Sequence, residues 1–139
     1  REDLDHLMRE TTRALARSTG ALAVGATEEG DLWHAGYANL FSNPEFTPTV
    51  FSQVFEILDE YRKIHELFFE HITSGDLVEV VFGEELGWPN FESVSVVASR
   101  FQAGGRSGIL GVIGPRRIPF YYVIPRVRYF RDLVCELLR

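Results

Sequence analysis

Apolar and polar residues recur along the chain with a helical period in three stretches, and these stretches predict its helices. The first runs from Asp3 to Thr19 and ends at Gly20. The second runs from Pro48 to about Thr73, with Thr47 as its N-cap. Because that stretch is longer than most globular helices, we expect a break near residues 59–61 and two helices. The last helix is predicted over Ile124–Leu138, with Pro125 in its first turn and Val127, Phe130, Val134 and Leu137 facing inward.

Five short apolar segments, bounded by glycine, proline or small polar residues, predict the strands. The clearest hairpin signal is the turn at residues 28–31, where Gly30 is free to adopt a positive φ. The stretch 37–48 contains prolines and small polar residues and is predicted to be a loop. The five predicted strands are Ala21–Ala26, Leu32–Gly36, Val78–Phe82, Ser93–Phe101 and Ser107–Ile113.

The order of these elements predicts an α+β fold. The last three strands follow one another through short turns, so we expect them to pair antiparallel. The two hairpins can join only across the helical stretch that separates them. The sequence therefore predicts one domain over residues 1–139, a five-stranded, mainly antiparallel sheet with helices packed on its faces.

Composition and charge narrow the function without assigning it. The 139 residues are 45% apolar and 24% charged, as in ordinary globular domains. Residues 1–92 carry 18 acidic and 6 basic side chains, whereas residues 93–139 carry 2 and 8. The acidic part repels phosphate, so we expect this chain alone to bind DNA poorly. The single cysteine agrees with a reducing compartment, and the charged start indicates no signal peptide.

No set of residues predicts a metal site or a catalytic centre. His65 and His71 flank two glutamates on a helix, but they are six positions apart and face different directions. Cys135 lies between Val134 and Leu137 on the last helix, which favours a small residue at the edge of the core over a catalytic thiol. No phosphate-binding glycine motif and no Gly-x-Ser-x-Gly elbow occurs. We therefore expect no enzyme activity, no catalytic residue, no metal and no cofactor.

Charged residues follow two of the predicted strands where those strands end. Glu84 and Glu85 come after Gly83, and Arg116 and Arg117 come after a Gly-Pro step that ends the fifth strand. If the fourth strand lies between the third and fifth, both exits lie at one edge of the sheet. A carboxylate and a guanidinium there make either an internal ion pair that fixes the turn or a pocket for a small polar effector.

Five segments carry a recognisable order of motifs: Gly36–Phe41, Pro44–Phe46, Phe82–Glu85, Ser93–Ser95 and Gly111–Ile118. They resemble motifs of HrcA, the bacterial heat-inducible transcription repressor, in which G-x-x-N-L, P-E-F, I-G-x-E and G-x-x-G-P-T-R-M segments follow in the same order. The chain departs from that pattern at Arg116, Ile118 and Pro119–Phe120, and it has no room for the family's inserted segment between Thr19 and Gly36. The resemblance is therefore to a shortened or divergent member.

The resemblance implies a GAF-like regulatory and dimerisation domain of a repressor of chaperone operons. It implies a cytoplasmic homodimer without membrane contact, a chaperonin contact, and DNA binding only through a separate winged-helix domain. The alternative is a GAF-like sensor of small molecules, with a pocket lined by Glu85, Arg117 and Tyr122. The candidate polar cluster, structural or ligand-binding, consists of Asn39, Glu45, Gly83, Glu85, Arg117 and Tyr122.

Overall fold

Helices and strands follow in the predicted order, with some bounds displaced. The computed structural model describes residues 2–138. The main helices are α1 (Glu2–Thr19), α2 (Pro48–Asp59), α3 (Tyr61–Ile64) and α4 (Phe120–Leu137), and the strands are β1 (Leu22–Thr27), β2 (Leu32–Ala35), β3 (Glu79–Phe82), β4 (Val94–Ala103) and β5 (Arg106–Pro115).

All five strands form one antiparallel sheet in the order β2-β1-β5-β4-β3. The helical stretch between β2 and β3 carries the chain from one edge of the sheet to the other. β4 and β5 meet through Gly104 and Gly105, whose φ angles of +58° and +76° match a two-residue type I′ hairpin turn. The predicted α+β sheet is confirmed, and both strands of this hairpin extend further towards the turn than predicted.

The sheet separates two apolar layers, because alternate side chains of its strands point to opposite faces. On one face Ala23, Leu110 and Val112 pack against α1 and α4. On the other face Val24, Ile109 and Ile113 belong to the cluster formed with α2 and the segment that follows it. Burial of both faces excludes water from the central strands, which is the main source of their stability. The bulkiest side chains of the core, all fully buried, include Phe68, Phe91, Phe101 and Met8.

The long helical stretch breaks where the sequence predicts it. Thr47 caps α2, its hydroxyl accepting from the Val50 amide at 3.3 Å, and Pro48 takes the first helical position. Glu60, with φ −122° and ψ 108°, is extended and ends α2. After α3 the chain continues through a π-helical turn over His65–Phe69. The predicted loop over 37–48 is wrong in its first half, which forms a 3-10 helix, Tyr37–Ser42.

The last helix begins four residues earlier than predicted. α4 starts at Phe120, so Pro125 lies inside the helix and leaves the carbonyl of Tyr121 without its usual donor. Tyr121 is 86% exposed, so water can satisfy that carbonyl and the helix continues. Leu137 was expected to face the core but is 60% exposed, because the buried side of α4 ends at Val134.

Two absences concern the described residues, 2–138, alone. None of their helices is long and apolar enough to cross a bilayer. Nor do they bring three or more histidine, cysteine, aspartate or glutamate side chains together in a metal-binding arrangement.

Candidate functional site

The exits of β3 and β5 lie at the same edge of the sheet, as the antiparallel order requires. β4 separates the two strands, and its residue Ser95 pairs with both Phe82 and Gly114. The guanidinium of Arg116 forms an ion pair with Glu84 and lies 4.5 Å from the centroid of the Phe82 ring. The Arg116 side chain is 41% exposed and that of Glu84 is 50% exposed, so solvent screens their attraction. The geometry is that of an internal ion pair at the turn.

The turn after β5 is held chiefly by buried polar contacts to β4. The hydroxyl of Ser95, fully buried, donates to the Pro115 carbonyl at 2.6 Å. The amide of Arg116 donates to the Ser93 carbonyl at 2.7 Å. Because these groups are mostly removed from water, losing either partner would leave an unsatisfied polar atom. The Gly-Pro step thus ends the strand but remains fastened to its neighbour.

Gly83 and Glu85 close the end of β3. A carboxylate oxygen of Glu85 accepts from the backbone amide of Phe82 at 2.8 Å, which caps the short 3-10 turn Gly83–Leu86. Gly83 lies directly against the carbonyl of Phe91, where a β-carbon would find no room. Both residues therefore act locally on the backbone.

Arg117 and Tyr122 lie apart from that closure. Arg117 is exposed, and within residues 2–138 no hydrogen bond or ion pair joins it to Glu85. Tyr122 is 39% exposed, and the guanidinium of Arg126 stacks 3.3 Å from its ring centroid. The Arg126 side chain also donates to the Tyr122 carbonyl at 3.0 Å. Glu85, Arg117 and Tyr122 thus have different neighbours.

Asn39 and Glu45 belong to a second junction, at the end of α1. The side-chain amide of Asn39 donates to the Ala21 carbonyl at 2.9 Å. The backbone amide of Asn39 donates to the Gly36 carbonyl, also at 2.9 Å. Gly36 has φ +84°, a conformation that favours glycine. Glu45 is exposed, and its backbone amide bonds the side chain of Asn43 at 2.9 Å.

Three of the motif-bearing segments meet in one cleft beside this junction. The cleft has a volume of about 270 Å³, and its lining includes Asn39 and Leu40, Pro44 and Phe46, and Gly114, Pro115 and Ile118. These residues come from Gly36–Phe41 and Pro44–Phe46, which are close together along the chain, and from Gly111–Ile118, which follows much later. The side-chain amide of Asn39 is already bonded to the Ala21 carbonyl. This hydrogen bond joins the start of β1 to the 3-10 helix that follows β2.

The hydrophobic pattern does not predict a group of rings that joins the 3-10 helix Tyr37–Ser42 to α2. Phe51 and Phe55, on α2, are only partly buried. Phe41 lies 4.7 Å from Phe51, and Tyr37 lies 5.9 Å from Phe55, measured between ring centroids. Tyr37 is 49% exposed and Phe41 58% exposed. We call Tyr37, Phe41, Phe51 and Phe55 the aromatic surface.

Solved structures with the same architecture support the fold assignment. The crystal structure of a hypothetical protein, at 2.2 Å resolution, matches with a TM-score of 0.64 and 18% identity, covering 76% of this chain and 31% of that one. Myxococcus xanthus MglB matches with a TM-score of 0.55 and 16% identity, over 99% and 90% of the two chains. Pseudomonas aeruginosa HmgR matches with a TM-score of 0.54 and 12% identity, covering 98% of this chain and 67% of that one. At these identities the likeness concerns the fold alone, and it confirms the GAF-like α+β assignment.

Sequence relatives are more specific. The heat-inducible transcription repressor HrcA of Roseiflexus castenholzii is 33% identical over 109 residues, covering 78% of this chain and 30% of that protein. HrcA of Methylobacillus flagellatus is 27% identical over 140 residues, covering 99% and 40%. The chain thus spans 30% and 40% of the lengths of these two relatives. The family model described as the HrcA protein C terminal domain matches residues 1–124. This chain therefore belongs to the family of HrcA C-terminal domains.

Proposed function

We propose that this chain is a regulatory, non-enzymatic domain of an HrcA-like repressor of heat-shock transcription, acting on chaperone operons in the cytoplasm. The family match over residues 1–124 is the observation that carries the proposal. The chemistry of the motif segments agrees with it. Glu85 and Asn39 bond main-chain groups at strand ends, and Arg116 pairs with Glu84. Such contacts set geometry, whereas a catalytic centre needs reactive groups that face a substrate.

We propose that the domain forms a homodimer through the aromatic surface. Tyr37, Phe41, Phe51 and Phe55 carry no charge, whereas the whole chain has a net charge of −6. Two copies that meet there bury rings without bringing their acidic groups into direct contact. Aromatic residues are also the ones most enriched at protein interfaces. A second copy of the chain is therefore the partner that suits this surface.

In the proposed mechanism the domain reads temperature, and a separate winged-helix domain of the same repressor reads DNA. Dimer geometry would set the spacing of the two DNA-reading heads, which must match the spacing of the operator half-sites. Heat would loosen the domain, change that spacing and lower operator occupancy. A chaperonin contact would act on the same equilibrium by stabilising the folded form.

A reporter experiment tests the regulatory role. The gene product that carries this chain, expressed at full length, should repress a reporter placed behind a chaperone-operon promoter. The 139 residues expressed alone should not repress it and should bind the operator no better than random DNA of equal length. Specific operator binding by the 139 residues alone would overturn the proposed division of labour. Failure of the full-length product to repress any chaperone promoter of its source would overturn the role itself.

A further inference from the structure

A cleft on the α2 side of the sheet remains outside the site described above. It has a volume of about 270 Å³ and lies between α2, the π-helical turn and the loop at residues 86–90. Ile57 and Phe91, both almost fully buried, form apolar parts of its wall. The indole of Trp88 packs edge-on against Phe91 with ring centroids 5.5 Å apart. Its ring nitrogen donates to a carboxylate oxygen of Glu66 at 3.3 Å, so the indole is held at two points.

One buried polar atom in the wall of this cleft has no partner. The side-chain amide nitrogen of Gln53 donates to the Pro89 carbonyl at 2.7 Å, which fixes the orientation of the amide. Its oxygen, Oε1, is closed off from water and accepts no hydrogen bond, the one such side-chain atom found among residues 2–138. An unsatisfied buried acceptor costs about 1–3 kcal/mol, so this wall of the cleft is less stable than a fully hydrogen-bonded one.

Two unusual backbone features border the same cleft. The turn that contains Glu66 is π-helical, a rare conformation that occurs often at functional sites. Asn90, in the loop that carries Trp88 and Pro89, has φ +64° and is the one non-glycine residue with positive φ in the described part of the chain. Left-handed backbone costs energy and clusters around ligand sites. Three independent features, in the side chains and in the backbone, therefore coincide here.

The charges around the cleft indicate the class of ligand. The lining contains Glu56, Glu66 and Lys63, and the ammonium of Lys63 is bonded to Glu56 at 3.0 Å. Glu66 therefore remains the uncompensated charge, and within the described residues one of its two carboxylate oxygens has no hydrogen-bond partner. The available groups are acceptors beside an indole, and an indole attracts cations through its ring face.

We propose that this cleft binds a small organic monocation, a protonated amine attached to a flat apolar body. The ammonium donates to the free carboxylate oxygen of Glu66, while the apolar body lies against the indole of Trp88. The inference goes beyond the regulatory role proposed above and does not depend on it.

Nitrogen-15 NMR of the two indole N–H groups tests the site directly, because the chain has only Trp33 and Trp88. The probe is 2-phenylethylamine at pH 7, compared with neutral 2-phenylethanol and anionic 3-phenylpropionate, and Trp33→Phe assigns the signals. We expect the Trp88 signal to shift saturably with the amine and the Trp33 signal to stay in place. The alcohol should bind at least about tenfold more weakly, since it lacks the charge, and the acid should not saturate.

Two variants separate recognition from packing. Glu66→Gln keeps an acceptor for Trp88 but removes the charge, and it should weaken amine binding about tenfold. Glu70→Gln is the matched control, because its carboxylate is exposed in the neighbouring turn and faces His65 at 4.0 Å. Equal binding of all three probes, unchanged binding by Glu66→Gln, or no saturable shift of Trp88 would each overturn the proposal.

Discussion

The guanidinium of Arg100, on β4, donates to the main-chain carbonyl of Phe69 at 2.6 Å, at the end of the π-helical turn. It also donates to the Ile72 carbonyl at 2.6 Å and pairs with Glu28 at 2.8 Å. One side chain thus satisfies two carbonyls at a helix end that have no further helical partner. Arg100 fastens the crossover between β2 and β3 to β4, the strand next to the edge strand β3.

Replacing Arg100 with methionine should lower the free energy of unfolding by about 2–3 kcal/mol, because two partly buried carbonyls lose charged donors. Chemical denaturation followed by circular dichroism measures the change. Arg106→Met is the matched control. The Arg106 side chain is 26% exposed against 25% for Arg100, but its guanidinium pairs with one exposed carboxylate, that of Glu29. The control should lose less than about 1 kcal/mol. Equal losses in the two variants would contradict the role given to Arg100.

Gly83→Ala should destabilise the domain by about 3 kcal/mol or more, since the added methyl group collides with the Phe91 carbonyl. Gly75→Ala is the control for the loss of a glycine. Gly75 has φ +68° and open space around its α-carbon, so only backbone strain of about 1 kcal/mol is expected. Thermal unfolding of both variants measures the difference. A Gly83→Ala protein as stable as Gly75→Ala would show that the end of β3 is free to move.

The ion pair between Glu84 and Arg116 should contribute little. A double-mutant cycle with Glu84→Gln and Arg116→Met should give a coupling energy below about 1 kcal/mol, because both side chains are substantially exposed. The coupling should fall further in 0.5 M salt, where exposed charges are screened. A coupling energy above about 2 kcal/mol that does not change with salt concentration would contradict this prediction, because it would mean that the ion pair is shielded from water.

Tyr61 should make stability depend on pH in alkaline solution. Burial raises the pKa of its hydroxyl, the carboxylate of Glu28 adds to the rise, and the hydroxyl donates to the Thr27 carbonyl. The folded state therefore keeps this proton where the unfolded chain, with a pKa of about 10, releases it. The contribution is complete below pH 10 and is lost as pH rises through the folded pKa. Tyr61→Phe should be less stable by about 1 kcal/mol at pH 8 and should show a flatter decline above pH 10.

Tyr121→Phe is the control for that titration, because Tyr121 is 86% exposed. Its denaturation midpoint should follow the wild type at every pH. If the stability of wild type and that of Tyr61→Phe fell in parallel above pH 10, Tyr61 would not be the source of the loss of stability in alkaline solution.

The aromatic surface predicts a change of oligomeric state. Phe41→Ser should shift the chain from dimer to monomer, because Phe41 is the most exposed ring of the group and contacts both Phe51 and Phe55. Light scattering over a range of concentrations measures the molar mass, which is 15.8 kDa for one chain. Tyr121→Ser removes a ring elsewhere that is still more exposed, 86% against 58% for Phe41, and should leave the dimer intact. A monomeric wild type, or a dimer unaffected by Phe41→Ser, would contradict the proposed interface.

Much of the fold is predictable from local pattern. Hydrophobic periods, the Thr47 cap and glycine-rich turns are local signals, and they locate the sheet, its pairing and the break near Glu60. The sequence does not predict the early start of α4, because proline favours the first turn of a helix, whereas in the structure an exposed carbonyl tolerates Pro125 inside the helix. Leu137 was misplaced because periodicity cannot tell where the sheet beneath a helix ends.

The candidate site was predictable only in part, since it depends on contacts between distant segments. The antiparallel order was enough to bring the exits of β3 and β5 together, but not to choose Glu84 and Arg116 among the four neighbouring charges. Nor does that order show that the ring of Tyr122 stacks with the guanidinium of Arg126. The unpartnered oxygen of Gln53 and the left-handed Asn90 leave no trace in hydrophobic patterning, because both arise from tertiary packing.

The proposal that this domain's stability controls DNA occupancy is tested most directly by operator binding as a function of temperature. Full-length gene products with Arg100 intact and with Arg100→Met should release the operator at different temperatures. A loss of about 2–3 kcal/mol lowers the melting temperature of a domain of this size by about 6–12 °C, and the release temperature should fall by the same amount. Release at an unchanged temperature, while the domain itself melts earlier, would contradict the account.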